Sequence, residues 1–224
     1  MTAREMQISF EIESNLQDPI KKPTTIEIFY WLNKAVEKFV KTRYSGVNYK
    51  GEGFEQTQKR IDDLRSLVKE TSIIPTGVGS KPNSFIFTLP NDYLFTVGEE
   101  AVISYVKGSN TITSREGITE ITNDRYRQEI DNHFSEFRLY SDWARPLRLF
   151  YGTYVELITD GQYSVTQYYI TYISKPTAIA LPSTNCNLPE QTHSEIVKLA
   201  VSMFLESIKD PRYQTYLNEI NSME

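Results

Sequence analysis

At Ser72 the apolar residues stop recurring every three or four positions and begin to alternate, and that change of period restricts the fold more than any other feature. Before it, Ile28, Trp31, Leu32, Ala35, Val36, Phe39 and Val40 trace one face of a helix, with Asn33, Lys34, Glu37, Lys38 and Lys41 opposite. After it, Ile73-Ile74, Phe85 to Leu89, Leu94 to Val97 and Ala101 to Val106 read as short strands, separated by Pro75, Gly77, Gly79, Pro82, Pro90-Asn91-Asp92 and Gly98. Ile118 to Thr122, Leu147 to Phe150 and Tyr154 to Ile158 continue the β pattern, and Asp160-Gly161 turns into the longest run, Tyr163 to Lys175. The helical period returns after Pro189, with Ile196, Leu199, Ala200, Met203, Phe204 and Ile208 on one side. The chain is therefore expected to be α+β, its N-terminal helices and C-terminal helix packed together, with a central antiparallel β domain.

Local signals set the expected boundaries. Thr2 and Glu5 have the spacing of a capping box, which favours a first helix, although Met6, Ile8, Phe10 and Ile12 also alternate as a strand would. Asp18-Pro19 and Lys22-Pro23 mark a linker, and Thr24 with Glu27 forms a second box. That helix should end near Tyr44-Ser45-Gly46, before the turn-rich 48–53, and pack through Ile28, Leu32, Val36 and Phe39 on the third and last helices. Phe54, Ile61, Leu64, Leu67 and Val68 predict a third helix from Phe54 to Lys69 with a narrow apolar seam, the rest polar. Asn123-Asp124 can cap a short helix over Arg125 to His133. Strict alternation in the long strand puts Val165, Gln167, Tyr169, Thr171 and Ile173 on one face and Ser164, Thr166, Tyr168, Ile170, Tyr172 and Ser174 on the other. Tyr213, Tyr216, Leu217 and Ile220 resume the helical spacing beyond Asp210-Pro211. The expected division is a helical region 1–71, a β-rich domain 72–182 with an insertion over about 108–145, and a helical return 183–224.

Chemistry-bearing patterns are sparse. Cys186, Glu190 and His193 bring a thiol, an acid and an imidazole close in sequence, but a nucleophile and its base usually converge from separate segments, so a buried thiol and a surface histidine are expected instead. Neither His133 nor His193 sits in a metal-ligand spacing, and Asp62-Asp63 and Glu99-Glu100 read as solvated faces. Thr76 to Pro82 looks like a phosphate loop only superficially, because a proline follows Lys81 and no helix opens behind it. Lys34, Lys38, Lys41 and Arg43 form a modest basic run on the second helix, read as its solvated outer face. No catalytic, cofactor or metal site is expected. No stretch is apolar enough to span a bilayer, the first 20 residues have no secretory core, and one cysteine excludes an internal disulfide. The net charge of −5, from 29 acids against 24 bases, argues against a surface built to grip phosphates. The 15 tyrosines suit half-wet contact surfaces.

Three stretches together carry a family resemblance: the helix IEIFYWLNKAVEKFVKTRY at 26–44, the strand and turn FIFTLPNDYLF at 85–95, and the ending YITYISKPTAIALPSTNCNLPEQTHSEIVKLAV. Their Leu89-Pro90-x-Asp92-Tyr93-Leu94 turn and Leu188-Pro189-Glu190 helix start are fold signatures and not catalytic motifs. The chain resembles the head–tail connector (adaptor or ring) proteins of short-tailed bacteriophages, most nearly the ring proteins of crAss-like phages. The resemblance implies a structural subunit of a twelve-fold ring below the portal, with the portal protein and other neck and tail ring proteins as partners. It also implies virion location, no membrane, and passive contact with packaged DNA. The alternative from residues alone is a monomeric module whose tyrosine-rich sheet binds carbohydrate or peptide. Within a ring, the mixed charges Lys59, Arg60, Asp62, Asp63 and Arg65 of the third helix are the expected subunit or ring-to-ring contact.

Overall fold

The computed structural model describes residues 1–15, 22–45, 54–216 and 218. In chain order its elements are α1 (Ala3–Ser14), α2 (Thr25–Ser45), α3 (Gln58–Leu64), β1 (Val68–Ile73), β2 (Gly77–Val78), β3 (Ser84–Thr88), β4 (Tyr93–Lys107), β5 (Asn110–Gly117), β6 (Thr119–Glu120), α4 (Tyr126–Asp131), β7 (Leu147–Phe150), β8 (Tyr154–Ile158), β9 (Tyr163–Ser174) and α5 (His193–Ser207). Short 3-10 turns cover Arg65–Leu67 and Glu190–Thr192. The fold is α+β, helical at both ends with a mostly antiparallel β centre. It divides into two compact units, 1–67 with 175–224, and 68–174.

In the helical unit both capping boxes form. Thr2 Oγ1 accepts the Glu5 N–H at 3.2 Å while the Glu5 carboxylate accepts the Thr2 N–H at 2.8 Å. Thr24 and Glu27 repeat the exchange at 3.4 and 2.7 Å. Each box satisfies two N–H groups that a helix start leaves without partners. On α1, Ala3, Met6, Gln7, Phe10 and Ser14 are buried while Ile8 and Ile12 are exposed, so helical periodicity prevails over alternation. α2 buries Ile28, Leu32, Val36 and Phe39 as expected and packs on α5, α3 and α1. The Phe204 ring of α5 meets Phe10 at 5.7 Å and Trp31 at 6.4 Å. Asn33 of α2 adds a polar clamp: its side-chain oxygen accepts the Ile179 N–H at 2.7 Å and its amide donates to the Ile179 carbonyl at 3.0 Å.

The third helix is shorter than predicted. Helix geometry ends at Leu64 and the 3-10 turn at Leu67, and Val68 and Lys69 belong to β1, because pairing with β9 (Val68 opposite Ile173) supplies a whole ladder of backbone hydrogen bonds. The α4 helix is also shorter than the expected Arg125 to His133 and has no side-chain cap. The last helix follows Pro189 through the 3-10 turn. Residues 213–216 are helical again, whereas Leu217, Ile220, the turn-rich 48–53 and Asp18-Pro19 lie outside the described residues.

The β unit has two sheets, ordered β1-β9-β4-β5 and β2-β3-β8-β7-β6, with only β6 and β7 parallel. The Leu89 to Leu94 turn closes with the Tyr93 N–H donating to the Pro90 carbonyl at 3.0 Å. Gly98 does not end a strand: β4 runs through it with bulges beside β9. One bulge corrects the predicted faces of β9. Val102 pairs with Gln167 and Ile103 with Val165, so Thr166 is the extra residue, and Tyr163 and Val165 share the buried side with Tyr168, Ile170 and Tyr172. These residues, with Phe87, Ala101, Ile103, Val155 and Leu157, form the core between the sheets. The fully buried Tyr168 ring packs 5.4 Å from Phe87.

Candidate assembly surface

The five charged residues predicted to mark a contact fall on two sides of α3. Arg60 and Asp63 are buried within the subunit, while Lys59 and Arg65 are exposed and Asp62 is half-buried. Asp63 faces Arg43, which stands on the apolar stripe of α2 and is itself buried, not part of a solvated basic face. Arg43 Nε lies 3.2 Å from Asp63 Oδ2, a charge contact rather than an aligned hydrogen bond, and Arg43 donates to Glu195 Oε2 of α5 at 2.6 Å. Gln191 donates to the other Asp63 oxygen at 3.3 Å. One guanidinium thus ties α2 to α3 and α5. On the outward side, Arg65 pairs with Asp62 at 3.6 Å and Lys59 with Glu195 at 3.6 Å. Such partly exposed pairs contribute only about 0–1 kcal/mol each.

A second outward surface comes from the segment between β6 and β7. It is held to its own unit by backbone and side-chain anchors: Tyr163 O–H donates to the Phe137 carbonyl at 2.8 Å, Leu139 N–H to Asp160 at 2.8 Å, and Lys107 to Asp142 at 2.5 Å. Phe137 and Ala144 are buried, whereas Phe134 is 96% exposed and Tyr140 75%. Trp143, bridged to Tyr140 across a turn with Ser141 at φ 59°, is also exposed. Large aromatics on an anchored strap are what a contact surface needs, because little ordering entropy remains to be lost.

The candidate chemical groups are otherwise engaged. His193 uses both ring nitrogens, Nε2 toward the Leu188 carbonyl at 2.9 Å and Nδ1 toward the Met1 amino group at 2.8 Å. Burial lowers its pKa, favouring the neutral ring whose two nitrogens are already occupied, and pushes the Cys186 thiol up, away from the thiolate. Asp63 and Asp62 face opposite ways, and so do Glu99 and Glu100. Glu99 lies on the core side, where it accepts from Tyr168 and Arg148 and burial raises its pKa, while Arg148 also reaches Glu120 at 2.6 Å. Among the described residues no cluster is placed to hold a metal ion, and no helix is long and apolar enough to cross a membrane.

The loop that resembles a phosphate cradle holds an anion from its own chain. The buried Glu156 carboxylate of β8 accepts the Lys81 N–H at 2.8 Å and the hydroxyls of Ser84 at 2.6 Å and Ser80 at 3.2 Å. Burial alone would raise the pKa of Glu156, but these hydrogen bonds outweigh it and hold the pKa below the usual value. Sequence reasoning missed Arg43 and Glu156 as internal groups. For Arg43 a signal existed, since it continues the line of Val36, Phe39 and Val40; for Glu156 none did.

With this geometry in hand, comparison with known proteins gives consistent matches. A profile of the phage tail ring protein 3/4 family matches residues 19–213. "Ring protein 3" of Bacteroides phage crAss001 is 29% identical over 218 residues, covering 89% of this chain and 90% of the relative. "Ring protein 4/5" of the same phage is 26% identical over 194 residues, covering 77% and 78%.

Proposed function

The chain belongs to the phage tail ring protein 3/4 family, and from that premise we propose that it forms a closed twelve-copy ring in the virion neck, between portal and tail. Its role is structural, in a phage ring. The ring continues the channel through which the genome passes and offers tail components a docking surface. The observation that carries this reading is the family match, which spans most of both compact units.

Several features support it. The outward charges Lys59, Asp62 and Arg65 and the aromatics Phe134, Tyr140 and Trp143 are contact surfaces to a neighbouring copy or ring. The net charge of −5 suits passive contact with sliding DNA, since each phosphate gripped by a basic side chain would add affinity and friction. The Glu156 carboxylate fills the loop most like an anion site, which leaves no catalytic role for it. Synthesis takes place in the host cytoplasm, and the partners are the portal protein and other neck and tail rings. Cryo-electron microscopy of particles tests the reading: density for this sequence is expected as a twelve-fold ring at the head–tail junction, and density elsewhere, or no rotational order, overturns it.

A further inference from the structure

Among the described residues the four-stranded sheet ends on two edges, β1 and β5, with no further strand beside them. Among those residues neither 68–73 nor 110–117 makes a backbone hydrogen bond outside its own ladder. Bare edges are templates for another strand, and monomeric proteins blunt them with proline, bulges, cover or charged side chains; the charges on these two edges, Lys69-Glu70 and Arg115-Glu116, are complementary when the edges run antiparallel. β5 carries no proline, and it pairs with β4 without a register shift from Lys107↔Asn110 to Glu100↔Gly117. All three ladders are antiparallel, so β1 and β5 run in opposite directions. A second copy rotated about an axis along the strands therefore brings its β1 antiparallel to this β5.

We propose that β5 of one copy pairs with β1 of the next, with Arg115 opposite Glu70 and Glu116 opposite Lys69, joining the sheets of neighbouring copies. This rests on the ring reading above. The register follows from faces and charges. Ile73, Tyr168, Ala101 and Glu116 lie on one line across the sheet, so Ile73, Thr71 and Lys69 share the core face with Ile112, Ser114 and Glu116. Glu70 and Ser72 share the outer face with Arg115 and Thr113. A slip of one residue would put each side chain opposite one from the wrong face. A slip of two in either direction would lose both opposite-charge pairs. In the stated register Ile112 meets Ile73, each already packed against the core of its own copy. Within one chain Arg115 lies over the Tyr169 ring at 4.0 Å, pairs with Glu100, and reaches its own Glu70 at 3.7 Å, while Lys69 pairs with Asp92 at 2.6 Å. These partly exposed contacts leave both edge backbones open, and re-pairing across copies costs little.

Paired cysteines test the register in a Cys186→Ser background. Thr113→Cys and Ser72→Cys stand directly opposite across copies, within disulfide reach, whereas in one chain the three intervening strand spacings alone keep them at least about 14 Å apart. Oxidised particles carrying both changes are expected to give a ladder of dimers, trimers and larger species on a non-reducing gel, with only monomer from either single change. Ser114→Cys with Thr71→Cys repeats the test on the other face. In native particles, zero-length carbodiimide coupling is expected to join Lys69 to Glu116. A visible ring whose chains stay monomeric with both pairs overturns the edge pairing and leaves the ring reading intact. A chain without rotational order in the particle overturns both, and a ladder only from Thr111→Cys with Ser72→Cys overturns the register.

Discussion

Gly79 packs so closely on Glu156 that a side chain at residue 79 would displace the carboxylate: an added Cβ would lie 2.1 Å from Glu156 Oε1 and 2.3 Å from Ser84 Oγ. Gly79→Ala must push the carboxylate away from its donors, and a loss of about 1–3 kcal/mol in urea unfolding is expected.

The same carboxylate makes stability depend on pH. Its folded pKa is depressed, so the unfolded chain binds the proton more readily, and the contribution is present above the ordinary carboxylate pKa and lost as pH falls through the folded value. Glu156→Gln should unfold more easily than the parent at pH 7, and the gap should narrow on acidification below about pH 4. Unfolding curves at both pH values check the sign.

Arg43 is the strongest polar test of the helical unit. Arg43→Ala leaves Asp63 buried without its cation and should cost about 3–5 kcal/mol. Arg43→Met with Asp63→Leu should recover part of that loss, measured as the urea midpoint of each variant.

The Asn33 clamp predicts a smaller effect. Asn33→Ala removes both partners of the Ile179 backbone, for an expected loss of about 1–3 kcal/mol, whereas Asn33→Asp keeps only the bond from the Ile179 N–H. Thermal unfolding should therefore rank the parent above the Asp variant and the Asp variant above the Ala variant.

For assembly, Arg65→Glu and Phe134→Ser change exposed positions and should alter monomer stability by no more than about 0.5 kcal/mol. Both should reduce the amount of the chain in purified particles, read by quantitative mass spectrometry. Arg60→Glu, by contrast, should destabilise the monomer, because Arg60 is buried.

The helices were legible because their signals are local: caps at Thr2 and Thr24, and a long stripe from Ile28 to Val40. What failed depended on a partner distant in sequence. Leu67 and Val68 keep helical spacing, yet β9 claims Val68. The phase slip at Thr166 exists only against β4 and has no signature in β9 itself. β5 went unseen because Asn110 to Gly117 contains one large apolar residue, Ile112, as an edge strand can. Asp63 was read as outward because the spacing within α3 does not show which of its acids meets the buried Arg43.

The opposed directions of β1 and β5 also limit how such a chain can diverge. Inserting or deleting a single strand would leave two edges running the same way, and like-oriented edges no longer meet antiparallel after a rotation. Divergence that keeps the sheets joined must then proceed by whole hairpins, two strands at a time, which makes the hairpin of β4 and β5 the natural unit of exchange between relatives.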